Sequence, residues 1–166
     1  ALDLSFLDAD FFDIALIFGP MYHLHTKEER IKVFEQAKRV TKKGGFILVA
    51  YVMNDYSIIE YCFKKNKIKE CFENGSVTED FKTVSSEKEL YSYLRLDDIN
   101  ELNKIAGLER IKIIAADGPS DYMRRELNAM DEETFELFVK YQLANAERIE
   151  LLGASSHTVD VLKNTK

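Results

Sequence analysis

The chain has 166 residues, of which 46% are hydrophobic and 31% are charged, and its formal net charge is −6. This length and apolar content are sufficient for a single domain with a core of its own. The acidic balance argues against a nucleic-acid partner, and no apolar stretch has the length of a membrane span. Cys62 and Cys71 match no metal-binding spacing, so we predict no metal site and expect free thiols in a cytoplasmic protein.

An apolar run near the start of the chain predicts a strand of a parallel sheet. Residues 13–18 form this run, Gly19 and Pro20 end it, and Tyr22 and His23 follow directly. Strands of this kind lie in parallel sheets that are covered on both faces, and ligands of such sheets bind at the carboxyl ends of the strands. We therefore expect Tyr22 and His23 to stand at a binding edge.

The next segment predicts a helix and a second buried strand. Thr26 and Glu29 have the spacing of a capping box at a helix start, and Gly44–Gly45 are expected to end the helix. Residues 46–52 are continuously apolar, so the strand–helix–strand unit is expected to be a right-handed parallel crossover. The apolar face of the helix is predicted from residues at helical spacing, namely Ile31, Phe34, Ala37 and Val40.

Residues 55–95 differ from the rest of the chain and are interpreted as a lid or a substrate-side insertion, with helices over 55–72 and a polar loop over 73–89. A short helix is predicted next, capped by Asp97 or Asp98 and ended by Gly107, with Ile99, Leu102 and Ile105 on its apolar face. It is followed by a strand over 108–116, a helix over 119–130, a longer helix capped by Asp131, and a last strand over 157–162.

The order of these elements resembles the C-terminal portion of the class I, Rossmann-like S-adenosylmethionine-dependent methyltransferases. Residues 12–24 resemble the family's fourth strand and the motif after it. Residues 37–47 resemble the turn into its fifth strand, with Lys43 in place of the usual proline, and residues 153–159 resemble the lead into the last strand of a small-molecule subgroup. The resemblance implies one α/β domain over 1–166: a truncated, mostly parallel sheet with an antiparallel last strand and helices on both faces.

The sequence also departs from this family. The glycine-rich loop that holds the methionine part of the cofactor has no counterpart, nor has the acidic residue that binds the ribose. We therefore expect a chain without the family's first three strands, which binds S-adenosylmethionine weakly or not at all by itself. In the parent enzyme, the resemblance implies that the cofactor is flanked by Ala1, Leu2, Phe18, Gly19 and Pro20.

The resemblance and the strand-end position predict that Tyr22 and His23 are catalytic residues; the alternative is that both only pack against the following helix. The predicted substrate-binding residues are Tyr51, Asn54, Tyr93 and Arg95. Core packing is the alternative for Tyr51, and loop packing is the alternative for Tyr93 and Arg95. His157 matches the family's pattern, but a plain strand-edge role is the stronger interpretation.

Three hypotheses for function remain open. The chain is a methyltransferase fragment that is inactive alone, or a methyltransferase that completes its site with another chain, or a non-enzymatic α/β interaction module. The implied substrate is a small molecule, with no nucleic acid and no membrane as partner. Without neighbouring strands, residues 14–18 form an open apolar edge, from which we expect a homo-oligomer.

Overall fold

A four-stranded mixed sheet organises the chain. In the computed structural model, which describes residues 1–166, the strands are β1 (Phe12–Ile17), β2 (Thr41–Val52), β3 (Glu109–Ala115) and β4 (His157–Lys163), in the spatial order β1-β2-β4-β3. β1 runs parallel to β2, whereas β4 runs antiparallel to both of its neighbours. The last strand in the chain is therefore inserted between two strands of the opposite direction. This arrangement confirms the predicted α/β class with an antiparallel last strand.

Helices connect the strands: α1 (Pro20–His23), α2 (Lys27–Val40), α3 (Asn54–Ser57), a π-helix (Ile58–Phe63), α4 (Ile68–Glu73), α5 (Leu96–Ala106), α6 (Arg124–Ala129), α7 (Glu132–Asn145) and a 3-10 helix (Ile149–Ala154). None of them combines the length and hydropathy that a membrane crossing needs. The predicted capping box of α2 is confirmed, because the Glu29 backbone N–H donates to Thr26 Oγ1 at 3.2 Å. Gly107 ends α5 in a left-handed conformation, as expected.

The main core lies on one face of the sheet, between β2 and the helices α2 and α5. Ile47 and Tyr51 of β2, Phe34 of α2 and Ile99 of α5 are all fully buried there. Successive side chains of a strand point to opposite faces, and Ile47 and Tyr51 are four positions apart, so both lie on the same face of β2. The sequence periodicity of α2 therefore describes its buried side correctly.

The predicted end of α2 is wrong. Gly44–Gly45 do not end the helix, because α2 stops at Val40 and β2 begins at Thr41. The buried side chain of Asn164 performs the capping instead: its Nδ2 donates to the carbonyl oxygens of Lys38 at 3.0 Å and of Thr41 at 2.9 Å. The side-chain amide of a distant residue thus satisfies the carbonyl oxygens at the end of α2, in place of the adjacent glycines that the sequence predicts.

Other helix boundaries also differ from the sequence interpretation. The N-cap of α5 is Arg95, whose backbone N–H donates to Asp98 Oδ2 at 2.9 Å, so neither aspartate is the cap itself. Ile105, expected on the buried face, is 52% exposed. The helix predicted over 119–130 is shorter in the structure, where only α6 (Arg124–Ala129) is helical. Asp131 caps α7 as predicted, by accepting the Thr134 backbone N–H at 2.8 Å, but no residue of α7 is buried.

The face of the sheet opposite α2 and α5 carries exposed apolar side chains. Ile14 is 55% exposed and Leu16 is 62% exposed, and both belong to β1, which is an edge strand. Phe46, the register partner of Ile14 on β2, is 40% exposed. Phe18, just beyond β1, is 52% exposed. The expected open apolar edge at residues 14–18 is therefore present.

A charged group is fully buried in the central strand. The Asp160 carboxylate of β4 receives two hydrogen bonds from the Arg110 guanidinium of β3, at 2.8 and 2.7 Å. Asn103 of α5 donates a third from its Nδ2 at 2.7 Å. Removing one partner of such a buried pair leaves an uncompensated charge, which is costly.

We expect Arg110→Ala to lower the free energy of unfolding by about 3 kcal/mol, because Asp160 stays buried without its cation. The matched control is Lys112→Ala on the same strand, whose ion pair with Glu147 is roughly half exposed. That variant is expected to lose less than about 1 kcal/mol. Urea unfolding of both variants measures the difference, and equal losses would contradict the assigned role of the buried pair.

Candidate active site

Functional side chains from separate parts of the chain meet at one edge of the sheet. Tyr22 and His23 follow the carboxyl end of β1, and Asp117 follows the carboxyl end of β3. Because β4 is antiparallel, its first residue, His157, lies at the same edge. This is the edge at which parallel α/β sheets bind their ligands.

Gly19 makes the sharp exit from β1 that leads to Tyr22 and His23. Its φ of 146° lies in a region that other residues rarely adopt. Pro20 then begins α1, where its missing N–H costs nothing. The glycine–proline pair therefore sets the direction in which α1 leaves the sheet.

Arg30 of α2 holds this turn in place. Its Nε donates to the Met21 carbonyl oxygen at 3.1 Å, and its Nη2 donates to Ser92 Oγ at 2.7 Å. Burial lowers the pKa of Arg30. The Ser92 backbone N–H donates in turn to the Tyr22 carbonyl oxygen at 2.8 Å. These hydrogen bonds join the turn at Met21 and Tyr22 to Ser92, near the end of residues 55–95.

The ring of Tyr22 lies close to two imidazoles. Its centroid is 4.9 Å from that of His23 and 6.1 Å from that of His157. Tyr91, from the insertion, completes the group at 6.1 Å from Tyr22 and 5.2 Å from His23. Aromatic rings at these separations attract one another in tilted geometry, so the four side chains form one cluster.

Both imidazoles are fixed through their Nδ1 atoms. His23 Nδ1 is 2.9 Å from the Leu90 carbonyl oxygen, which can only accept, so this nitrogen carries the proton. His157 Nδ1 is 2.7 Å from Asp117 Oδ2 and donates to it. In the neutral form of each ring, Nε2 is then the proton acceptor. The edge therefore presents two nitrogen bases whose orientation is set by neighbours.

The Asp117–His157 pair shifts the pKa of both groups. The hydrogen bond to Asp117 raises the pKa of His157, and burial opposes this shift. Burial favours the neutral acid at Asp117, but hydrogen bonds from His157 and Ser156 outweigh it and lower the pKa of this carboxyl group. Ser156 Oγ donates to Asp117 Oδ2 at 2.6 Å. His157 is thus made a stronger base by the carboxylate that orients it.

Two of the predicted substrate residues, Tyr51 and Asn54, are fully buried. The Tyr51 hydroxyl has no hydrogen-bond partner, and burial raises its pKa well above the ordinary value. Asn54 Nδ2 donates to the Phe81 carbonyl oxygen at 2.9 Å, and its Oδ1 accepts the Thr83 backbone N–H at 2.8 Å. Asn54 thereby ties the insertion to the end of β2. A direct substrate contact of either residue stays a prediction.

The other two predicted substrate residues lie in different surroundings. Tyr93 lines a cavity beside the aromatic cluster. Arg95 pairs with Asp80 at 2.8 Å and does not line that cavity. Residues 55–95 also enclose an apolar cluster of their own, formed by Ile58, Cys62, Cys71 and Val77. The interpretation of this segment as a lid stays a prediction.

The predicted cofactor residues lie in different surroundings, and their contact with a cofactor stays a prediction. Leu2 packs against the main core, whereas Ala1 and the ring of Phe18 are exposed. No charged side chain is among the predicted set. No group of three or more His, Cys, Asp or Glu side chains is arranged to hold a metal ion.

Sequence reasoning missed Asp117 and gave His157 a minor role. The available signal was positional, because Asp117 directly follows the predicted strand 108–116 and His157 begins the predicted strand 157–162. Only the antiparallel insertion of β4 beside β3 brings these two residues together.

Comparisons of the sequence found no matching protein-family model and no matching curated protein. Solved structures do match. A SAM-dependent methyltransferase from Methanosarcina mazei aligns with a TM-score of 0.53 at 11% identity, over 98% of this chain and 63% of that chain. A SAM-dependent methyltransferase from Thermotoga maritima, described as a possible histamine N-methyltransferase, gives 0.51 at 19% identity, over 99% and 60%. A possible exported protein from Bordetella parapertussis gives 0.51 at 5% identity, over 96% and 41%.

The chain has a truncated fold similar to that of the class I SAM-dependent methyltransferases. The chain spans about three fifths of the length of the two methyltransferase structures that it matches. The resemblance based on residues 12–24, 37–47 and 153–159 is therefore confirmed at the level of the methyltransferase fold.

We expect the His157 pKa to lie above the ordinary value of about 6.5 and to fall in Asp117→Asn, because the orienting carboxylate is lost. NMR titration of the imidazole resonances measures both values. An unchanged pKa in the variant would show that Asp117 does not act on His157.

The same pair makes stability depend on pH. Because the folded-state pKa of His157 is raised, its contribution is fully present below about pH 6.5 and is lost as the pH rises through the folded-state value. The stability difference between wild type and Asp117→Asn should therefore shrink from about pH 5.5 to about pH 8. Asp131→Asn, a helix cap with no histidine partner, serves as the control and should cost the same at both pH values.

Proposed function

We propose that this chain is the acceptor-side part of a cytoplasmic SAM-dependent methyltransferase that acts on a small molecule. The observation that carries the proposal is the pair of oriented imidazoles beside Tyr22, at the carboxyl edge of a sheet with the methyltransferase fold. The acidic net charge and the aromatic surroundings favour a small acceptor over a nucleic acid.

The residues at this edge suit the needs of methyl transfer. Such a reaction is accelerated largely by placing two reactants in line and excluding water. An acceptor nitrogen or oxygen must also lose a proton, and Nε2 of His23 or His157 is positioned to take it. Tyr22, which lies close to both rings, orients the acceptor. S-adenosylmethionine supplies the methyl group as an electrophile when it is bound.

The residues of this chain do not make a complete site for that cofactor. Its ammonium, carboxylate and ribose groups need polar partners, whereas Leu2 is engaged in the core and Phe18 offers only an apolar ring. We therefore propose that the chain alone binds S-adenosylmethionine weakly or not at all. The remaining contacts come from the same natural polypeptide or from a second chain.

In the natural polypeptide that contains this sequence, we expect Tyr22→Phe and His23→Ala to lower methyl transfer more than they lower stability, by roughly tenfold or more if the side chains take part in proton transfer. A loss of thermal stability with unchanged activity per folded molecule would favour the packing alternative. Tyr141→Phe, at an exposed tyrosine of α7, is the matched control. The proposal would be overturned if the natural polypeptide catalysed no methyl transfer from S-adenosylmethionine to any small amine or alcohol.

The alternative function is a self-associating, non-enzymatic α/β module. It is favoured by the exposed apolar surface of Ile14, Leu16 and Phe18 beside the unpaired backbone of β1. Burial of a few such side chains is worth several kcal/mol at roughly 25 cal/mol per Å². An edge strand of this kind pairs readily with another chain.

We expect the wild-type chain to sediment as a dimer or larger species at micromolar concentration, and Leu16→Lys to sediment as a monomer, because the charge interrupts the apolar edge. Leu143→Lys is the matched control, since Leu143 is 74% exposed on α7, away from β1. A monomeric wild-type chain would contradict self-association through this edge.

A further inference from the structure

A cavity of about 290 Å³ lies within the insertion, between the π-helix, α4 and the segment 83–93. It adjoins the candidate active site through two residues. Tyr91 lines the cavity and stands 5.2 Å from the His23 ring, and Leu90 lines it and accepts the hydrogen bond from His23. The cavity and the surroundings of His23 therefore share two wall residues.

The walls of the cavity combine aromatic and apolar side chains with four uncharged polar ones, Ser57, Asn74, Ser76 and Thr83. Tyr61, Tyr91 and Tyr93 contribute three rings. Cys62 and Cys71 are buried and also line the cavity, with their sulfur atoms 3.7 Å apart. Burial raises the pKa of Cys62 to about 11, so this thiol is neutral at physiological pH. The Cys62 side chain therefore offers an uncharged, apolar contact to a ligand in the cavity.

The charged lining of the cavity is entirely acidic. Glu70 and Glu89 line it, and no lysine, arginine or histidine does so. Glu70 is compensated by Lys67 at 2.6 Å, whereas Glu89 makes no ion pair. Burial raises the pKa of Tyr93, and the nearby charge of Glu89 adds to this shift. The negative charge of Glu89 thus acts on an aromatic wall of the cavity.

We propose that this cavity binds the methyl acceptor and that the acceptor is a small amine with an apolar body, bound as its cation. Aromatic faces and an uncompensated carboxylate both attract an ammonium group, and the volume lies near the lower limit of ligand pockets. The ammonium then gives one proton to a base outside the cavity, which we assign to His23 beside Tyr91, and the resulting neutral amine is the nucleophilic form. The assignment of the ligand as acceptor rests on the proposed function.

The test measures ligand binding by the chain itself, without cofactor or methyl transfer. Three probes of similar shape are phenethylamine, phenethyl alcohol and hydrocinnamate, which carry a positive, a neutral and a negative group. Amide chemical shifts follow each titration. We expect phenethylamine to bind with a Kd of about 1 mM and to shift the resonances of Cys62 and Tyr91. The alcohol should bind more weakly, and hydrocinnamate should not bind.

Glu89→Gln should weaken phenethylamine binding by about threefold to fivefold, because the uncompensated charge is removed while the side-chain size is kept. Glu87→Gln, two residues away and not part of the lining, should leave binding unchanged. Tyr91→Ala should weaken binding further, whereas Tyr141→Ala should not. Any other order of the three probes, or no shift at the cavity residues, overturns the inference. Failure of methyl transfer in the natural polypeptide would instead count against the proposed function and leave the binding result intact.

Discussion

A carboxylate buried in the middle of the sheet constrains the whole arrangement. Asp160 is fully buried in β4 and obtains all its partners from elsewhere, from Arg110 of β3 and Asn103 of α5. A buried charge without partners costs several kcal/mol, so β3, β4 and α5 must assemble in one register. This register brings the first residue of β4 to the edge where β1 and β3 end. The position of His157 therefore follows from a stabilising interaction elsewhere in the same strand.

The two imidazoles reach the same edge by different routes. His23 is held by a backbone carbonyl of the insertion, whereas His157 is held by a carboxylate beyond β3. Only the interaction of His157 with Asp117 becomes an ion pair when the imidazole is protonated. The two rings therefore differ as bases, although Nε2 is the proton acceptor in both. Arg30 adds a rigid connection, because it joins the turn at Met21 to Ser92. The position of residues 90–92 is thereby linked to the orientation of His23.

Sequence reasoning succeeded where one turn of chain satisfies the interaction. The capping box at Thr26 and the cap at Asp131 are of this kind, and so is the helix end at Gly107. It failed where the partner is distant: Asn164 caps α2 from 123 residues away, and Asp117 meets His157 across 40 residues. Apolar strand patterns gave the sheet but not its faces, because a continuous apolar run does not say which residues a neighbour will cover.

The central place of β4 has a consequence for biosynthesis. Before its residues emerge from the ribosome, β2 and β3 have no strand between them. Contacts between β2 and β4 join residues more than 100 positions apart, and such long-range pairing is slow to form. During that interval the backbone edges of both β2 and β3 are open. This part of the sheet is thus completed only after the last strand has been synthesised.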